Sequence, residues 1–212
     1  TGKSLVSSET GTWLDEHFKV SLAEMKRQVD SRLLGGINHI AYHSTTYSPA
    51  DAHWPGWLYY ASTQVVPTNS IWHDLPALNT YISRVCTFMQ TGRPDNDILL
   101  YYPVDDIWHN PDGMVYHLGG LRYSPELKKT AKRLRERGFT FDFVSDRQIA
   151  DLSTEDGQWV TSGGNKYDAV LIPGATYMRQ STFDKLLGLV GDCGATVAFQ
   201  GGVPPRRPGL RN

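Results

Sequence analysis

Three stretches decide the fold: Ser4-Leu5-Val6-Ser7-Ser8-Glu9-Thr10-Gly11-Thr12, then Gly35-Gly36, then Ile37-Asn38-His39-Ile40-Ala41-Tyr42-His43. The opening Ser4–Ser8 segment is short and β-compatible, and a polar loop follows it at once. From Leu14 the apolar positions run Leu14, Phe18, Leu22, Met25, Val29 and Leu33. Steps of three and four predict a helix, and Gly35-Gly36 supplies its stop. Ile37–His43 is then a second strand. Strand, helix and strand joined this tightly form a βαβ unit, with parallel strands and a right-handed crossover.

Outward from that unit, a long loop from Ser44 to about Trp72 is rich in Pro, Trp, Tyr and His. Loops of such length inside a compact domain are usually functional. A helix from about Leu75 to Gln90 follows, and Thr91-Gly92-Arg93-Pro94 marks the candidate domain boundary. The pattern restarts at Asp97–Pro103, a continuous apolar strand of the kind buried on both faces. A loop to Tyr123 leads to a helix with Ser124 as N-cap, Pro125 and Glu126 in its first turn and Gly138 at its end. Phe139–Val144 reads as a strand, and Trp159-Val160 with Lys166-Tyr167 as a small hairpin. Ala169–Pro173 is a further buried strand, Thr182–Val190 a helix closed by Gly191 or Gly194, and Ala195–Phe199 the last strand. Alternating strands and helices of this kind imply a parallel, doubly wound sheet. The tail Pro204-Pro205-Arg206-Arg207-Pro208-Gly209 continues no element.

Residues 1–92 therefore supply two strands and two helices, which cannot bury their own faces. They read as the last βα units of a larger (β/α)₈ barrel. Residues 93–212 read as a small α/β parallel-sheet domain, truncated. Composition agrees with a globular chain: 40% of the 212 residues are hydrophobic and 20% charged. A net charge of -1 offers no footprint for nucleic acid. Two cysteines, Cys86 and Cys193, exclude a disulfide scaffold. No apolar run reaches membrane-spanning length, and the N-terminus carries no recognisable targeting signal.

Glu9 stands at the end of its strand, where a (β/α)₈ barrel collects its catalytic groups. A carboxylate beside Thr10 and Thr12 suits general-base or nucleophile work on a glycoside. The alternative is a cap for the following helix, although Asp15 and Glu16 fit that role better. His39 and His43 share one strand face but lie roughly 13 Å apart, too far to hold one metal ion. His43 is the better sugar contact and His39 a core histidine; His53 and His73 complete the metal question. Trp54 sits at a turn facing solvent, whereas Trp57, Tyr59 and Tyr60 are expected to pack the loop down. In the second piece, the basic run Lys128–Arg137 reads as a solvated helix face. Gly174-Ala175-Thr176-Tyr177-Met178 carries neither a dinucleotide nor a nucleophile-elbow pattern, and Cys193 sits after a helix. That domain reads as catalytically silent.

Four motifs resemble the α-L-rhamnosidase family of large multidomain glycoside hydrolases: Ser7–Trp13 (SSETGTW), Gly36–Pro49 (GINHIAYHSTTYSP), Trp54–Trp57 (WPGW) and Asp95–Pro103 (DNDILLYYP). The resemblance covers most of the chain. It implies a (β/α)₈ catalytic barrel followed by a flavodoxin-like domain, similar to the glutamine-amidotransferase-like module of some β-galactosidases. It implies inversion at the anomeric carbon of a rhamnose-containing oligosaccharide, with Glu9 as general base and the general acid upstream in the remainder of a longer chain. Asp51 and Asp74 are only weak candidates for that acid within these residues. His43, Tyr47 and Trp54 are the expected substrate contacts. The resemblance also implies a calcium ion near the sugar hydroxyls, with no ligand assignable here, and a periplasmic or secreted location. The competing expectation is a non-catalytic α/β module for subunit or domain contacts.

Overall fold

β1 (Ser7–Thr10) and β2 (His39–Tyr42) pair in parallel, with Ser7 opposite His39 and Thr10 opposite Tyr42. This register is the frame of the candidate site. The computed structural model describes residues 3–111 and 124–209, and only the backbone of Asp192 and Cys193. It divides into two compact units, Lys3–Pro94 and the residues from Asp95 onward.

In the first unit, α1 (Leu22–Leu34) links the two strands and α2 (Leu75–Thr91) follows the long loop. Met25, Val29 and Leu33 form the buried stripe of α1, packed with Leu75, Leu78, Ile82 and Cys86 from α2. The helices are also tied by polar contacts: Tyr81 donates to Asp30 at 2.8 Å, and Lys26 lies both against Asp30 and over the Tyr81 ring. Buried Asn38 stitches the base of the strands, accepting from Val6 N–H and donating to the Ser4 carbonyl.

α1 starts eight residues later than the Leu14 periodicity predicts. Ser21 accepts from Glu24 N–H while the Glu24 carboxylate accepts from Ser21 N–H, a complete capping box. Phe18 adopts φ +63, which no helix tolerates, and Leu14 is exposed. Asp15 and Glu16 are consequently not first-turn acids: Asp15 accepts from Glu16 N–H, and Glu16 pairs with Lys19. β2 is also shorter than expected, and His39 is exposed rather than a core residue.

The second unit holds a four-stranded parallel sheet of order β4-β3-β8-β9. Its strands are β3 (Ile98–Tyr101), β4 (Phe141–Val144), β8 (Ala169–Ile172) and β9 (Thr196–Phe199). α3 (Val104–His109) directly follows β3, within the stretch expected as a loop. Residues 112–123 lie outside the described residues. α4 (Pro125–Glu136) covers one face, where Leu100 packs on Leu127 and Ala131. Leu99 and Tyr101 point to the other face and join Leu186 of α6 (Gln180–Cys193), as the two-residue period of a strand requires. Ser124 makes no side-chain cap bond, so Pro125 at the first turn marks the start of α4 instead. α5 (Asp146–Ala150) precedes β5 (Ser153–Glu155), β6 (Gln158–Val160) and β7 (Lys166–Tyr167), a small antiparallel sheet. Trp159 of β6 is fully buried and donates to the Thr196 carbonyl. Gly194 closes α6 in the left-handed conformation.

Candidate active site

Because Glu9 pairs with Ala41, the residue two positions past Ala41 falls on the same face of the sheet, just beyond the strand ends. That residue is His43, whose N–H donates to the Thr10 carbonyl at 2.6 Å and so extends the pairing. Gly11 then turns the chain with φ +92 and returns Thr12 to the same face. Three side chains meet there. Thr12 Oγ1 lies 3.0 Å from Glu9 Oε1 and 2.9 Å from His43 Nδ1, and His43 Nδ1 lies 3.2 Å from Glu9 Oε1. The single Thr12 hydroxyl proton goes to the carboxylate, which accepts only. His43 therefore carries its proton on Nδ1 and donates into the pair; this tautomer is assigned from the network.

One oxygen of Glu9 is thus held by two donors, while Oε2 has no partner among the described residues. The Glu9 side chain is 65% exposed and that of His43 only 23%. Glu9 does not cap a helix, since the cap of α1 is Ser21. Tyr59 stands edge-on to the His43 ring, with centroids 4.8 Å apart, and Tyr60 tilts against Tyr59. Burial, then the neighbouring Tyr60 and Glu9, push the Tyr59 phenol above its ordinary range.

A second layer supports these groups and was not anticipated from sequence. Ala61–Val66 is buried throughout. Thr63 N–H donates to the Gly11 carbonyl, Val65 N–H to the Ser44 carbonyl, and Ser62 Oγ bonds both the N–H and the carbonyl of Ser44. Fully buried Gln64, at φ +54, donates to the Tyr59 carbonyl and meets His17 at 3.1 Å. The segment therefore braces the turn after β1, the turn after β2 and the backbone of Tyr59. Its only signal in the sequence is a Ser-Thr-Gln run between apolar residues within an otherwise aromatic loop.

The other expected contacts fare differently. Tyr47 is 93% exposed and joins none of the bonds or ring contacts of the Glu9 cluster. Trp54 faces solvent and stacks on Phe18, with centroids 6.4 Å apart and planes 19° apart. Trp57 and Tyr60 are exposed instead of packing the loop down. The loop is held through its backbone, since Ser48 Oγ accepts from Trp57 N–H and Thr46 donates to the Trp57 carbonyl. Among the described residues no three His, Cys, Asp or Glu side chains gather to hold a cation, and Asp51 and Asp74 stay outside the cluster. No described helix is long and apolar enough to cross a membrane.

Residues 1–212 match the sequence profile of the alpha-L-rhamnosidase family. A Formosa agariphila protein provisionally named a beta-glucuronidase is 26% identical over 216 residues, a match to all of this chain and 16% of that protein. The chain thus spans about a sixth of the curated relative. A solved rhamnosidase from Novosphingobium sp. PP1Y superposes with a TM-score of 0.65 at 17% identity, over 96% of this chain and 18% of that one. That likeness concerns the fold.

Proposed function

Since the chain belongs to the alpha-L-rhamnosidase family of glycoside hydrolases, we propose that it is part of an enzyme that removes α-L-rhamnose from glycans, with Glu9 as the general base. One observation carries the reading: Glu9 Oε1 is fixed by Thr12 and His43 Nδ1, while Oε2 is left to solvent at the end of a parallel strand. A carboxylate oriented through one oxygen can take a proton from water through the other. In an inverting reaction that water attacks the anomeric carbon from the face opposite the leaving oxygen, which a second carboxylic acid protonates. The two carboxyls of such a site stand about 6.5–9.5 Å apart. We assign the acid to another part of the longer protein. The mixed α/β fold with parallel sheets is compatible with β1 and β2 as late strands of a (β/α)₈ barrel and with a flavodoxin-like second unit. The resemblance implies a calcium ion, and no group of three His, Cys, Asp or Glu side chains gathers among the described residues to hold it. A periplasmic or secreted location fits a glycan-degrading enzyme.

The test is Glu9→Gln in the full-length enzyme. Glutamine keeps the shape and cannot take the proton, so kcat should fall by about 100-fold or more with KM little changed. A variant keeping more than about a tenth of wild-type kcat would place the base elsewhere.

A further inference from the structure

The geometry points to a second saccharide site in the unit from Asp95 onward: a groove at the carboxyl ends of β3 and β8 that takes a pyranose bearing an anionic substituent. In the sheet order β4-β3-β8-β9 the chain leaves β3 toward β4 and leaves β8 toward β9. β3 and β8 are adjacent, so their carboxyl ends form the switch point at which open α/β sheets bind ligands. Among the described residues a groove of about 940 Å³ lies there, large enough for a small-molecule site of about 300–1,000 Å³. Asp105, Trp108 and His109 line it from α3 after β3, Tyr177 from the loop after β8, and Arg206 and Arg207 from the tail after β9.

The tail is held in place. Arg206 N–H donates to the Thr176 carbonyl and Met178 N–H to the Arg206 carbonyl, a parallel bridge between Tyr177 and Arg206. The side chains continue that order: Arg206 Nη1 donates to Tyr177 Oη at 3.4 Å, and Tyr177 Oη meets His109 Nε2 at 3.0 Å. Charge decides the ligand class. Asp105 is already paired with Arg179 at 3.1 Å, and Asp106 accepts from the N–H groups of Thr176 and Tyr177. Arg206 and Arg207 have no carboxylate partner among the described residues, and Arg206 bonds only the neutral Tyr177 hydroxyl there, so both guanidiniums suit a carboxylate or sulfate. Asp106 also occupies the two backbone amides that could cradle a phosphate, which disfavours a nucleotide. Trp108 is 68% exposed and offers an apolar face for a sugar ring. The choice of a saccharide over other anions rests on the glycan reading above; the groove and its charge do not.

Calorimetric titration of the full-length protein tests this with a uronate-containing oligosaccharide, a sulfated one, the neutral methyl-esterified counterpart and inorganic sulfate. At least one acidic oligosaccharide should bind saturably, with the neutral form about tenfold weaker or worse. Arg206→Ala, Arg207→Ala and Trp108→Ala should each weaken binding by about tenfold, and Glu9→Gln should leave it unchanged, which separates this site from the proposed base. The Arg206 bridge is backbone-borne and survives truncation; should that variant still fail to fold, Arg207→Ala decides. Absence of binding, equal binding of the neutral sugar, inorganic sulfate binding as tightly as the oligosaccharides, or affinity unmoved by Arg207→Ala would each overturn the proposal.

Discussion

At the scale of single residues, Thr12 shows how a small side chain sets the geometry of a larger one. Its hydroxyl donates to Glu9 Oε1 and accepts from His43 Nδ1–H, so it fixes both partners through one atom. Thr12→Val preserves shape and removes the hydroxyl. We expect kcat in the full-length enzyme to fall by about tenfold with KM nearly unchanged, less than for Glu9→Gln, because only orientation is lost. Thr12→Ser keeps the hydroxyl and should restore most of the rate; steady-state kinetics on an aryl α-L-rhamnoside separate the three variants. Gly11 is a second single-residue constraint. It sits at φ +92, and a Cβ there would lie 3.2 Å from Thr63 Oγ1 and 3.3 Å from the His43 carbonyl. Gly11→Ala should therefore destabilise the fold and displace Thr12 at once, visible as a lowered Tm together with a lowered kcat.

At the scale of elements, the start of α1 rests on the Ser21–Glu24 capping box. Replacing Ser21 with Ala should cost about 0.5–2 kcal/mol, measured by denaturant unfolding. The same box gives stability a pH dependence. The Ser21 backbone and side-chain hydrogen bonds hold the Glu24 carboxyl below its ordinary 4.5. Lys26 and then Tyr81 likewise hold Asp30 below 3.8. A carboxyl depressed in the folded state contributes its stability above the unfolded pKa and loses it as pH falls through the folded one. Stability of the first unit should thus be level above about pH 5 and decline below about pH 4, and Glu24→Gln should flatten part of that decline. The helix start itself was misplaced by periodicity, since Leu14 and Phe18 continue the apolar spacing without being helical. Spacing records which face could be buried; the cap records where the backbone enters the helix.

At the scale of the whole molecule, the β1–β2 sheet has two strands among the described residues. Parallel pairs of this size do not sustain themselves, and unpaired edges invite association. Expressed alone, the 212 residues should hydrolyse no aryl α-L-rhamnoside and should aggregate or dimerise. Size-exclusion chromatography and an activity assay beside the full-length protein check this; turnover by the fragment that is lost on Glu9→Gln would refute it. The second unit has a more complete core, centred on Trp159, Leu99, Ile149 and Leu186, all nearly or fully buried. Trp159→Ala there should cost about 3–5 kcal/mol and also orphan the Thr196 carbonyl that the indole bonds.

The longer strands and helices and the position of Glu9 at a strand end were legible in the sequence, whereas the short elements α3, α5 and β5 were not. The legible features depend on apolar period, glycine stops and strand composition, which are properties of neighbouring residues. Tertiary structure alone decided the rest. Glu9 and His43 are far apart in the chain, and only the parallel register of β1 on β2 puts them on one face. The bracing of that face by Ala61–Val66 uses hydrogen bonds to Gly11 and Ser44, partners remote from the segment itself. The outward turn of Trp57 has the same cause, because its backbone N–H and carbonyl find their partners in Ser48 and Thr46 and the ring is left exposed. Local pattern states what a segment can bury; long-range hydrogen bonding determines what it meets.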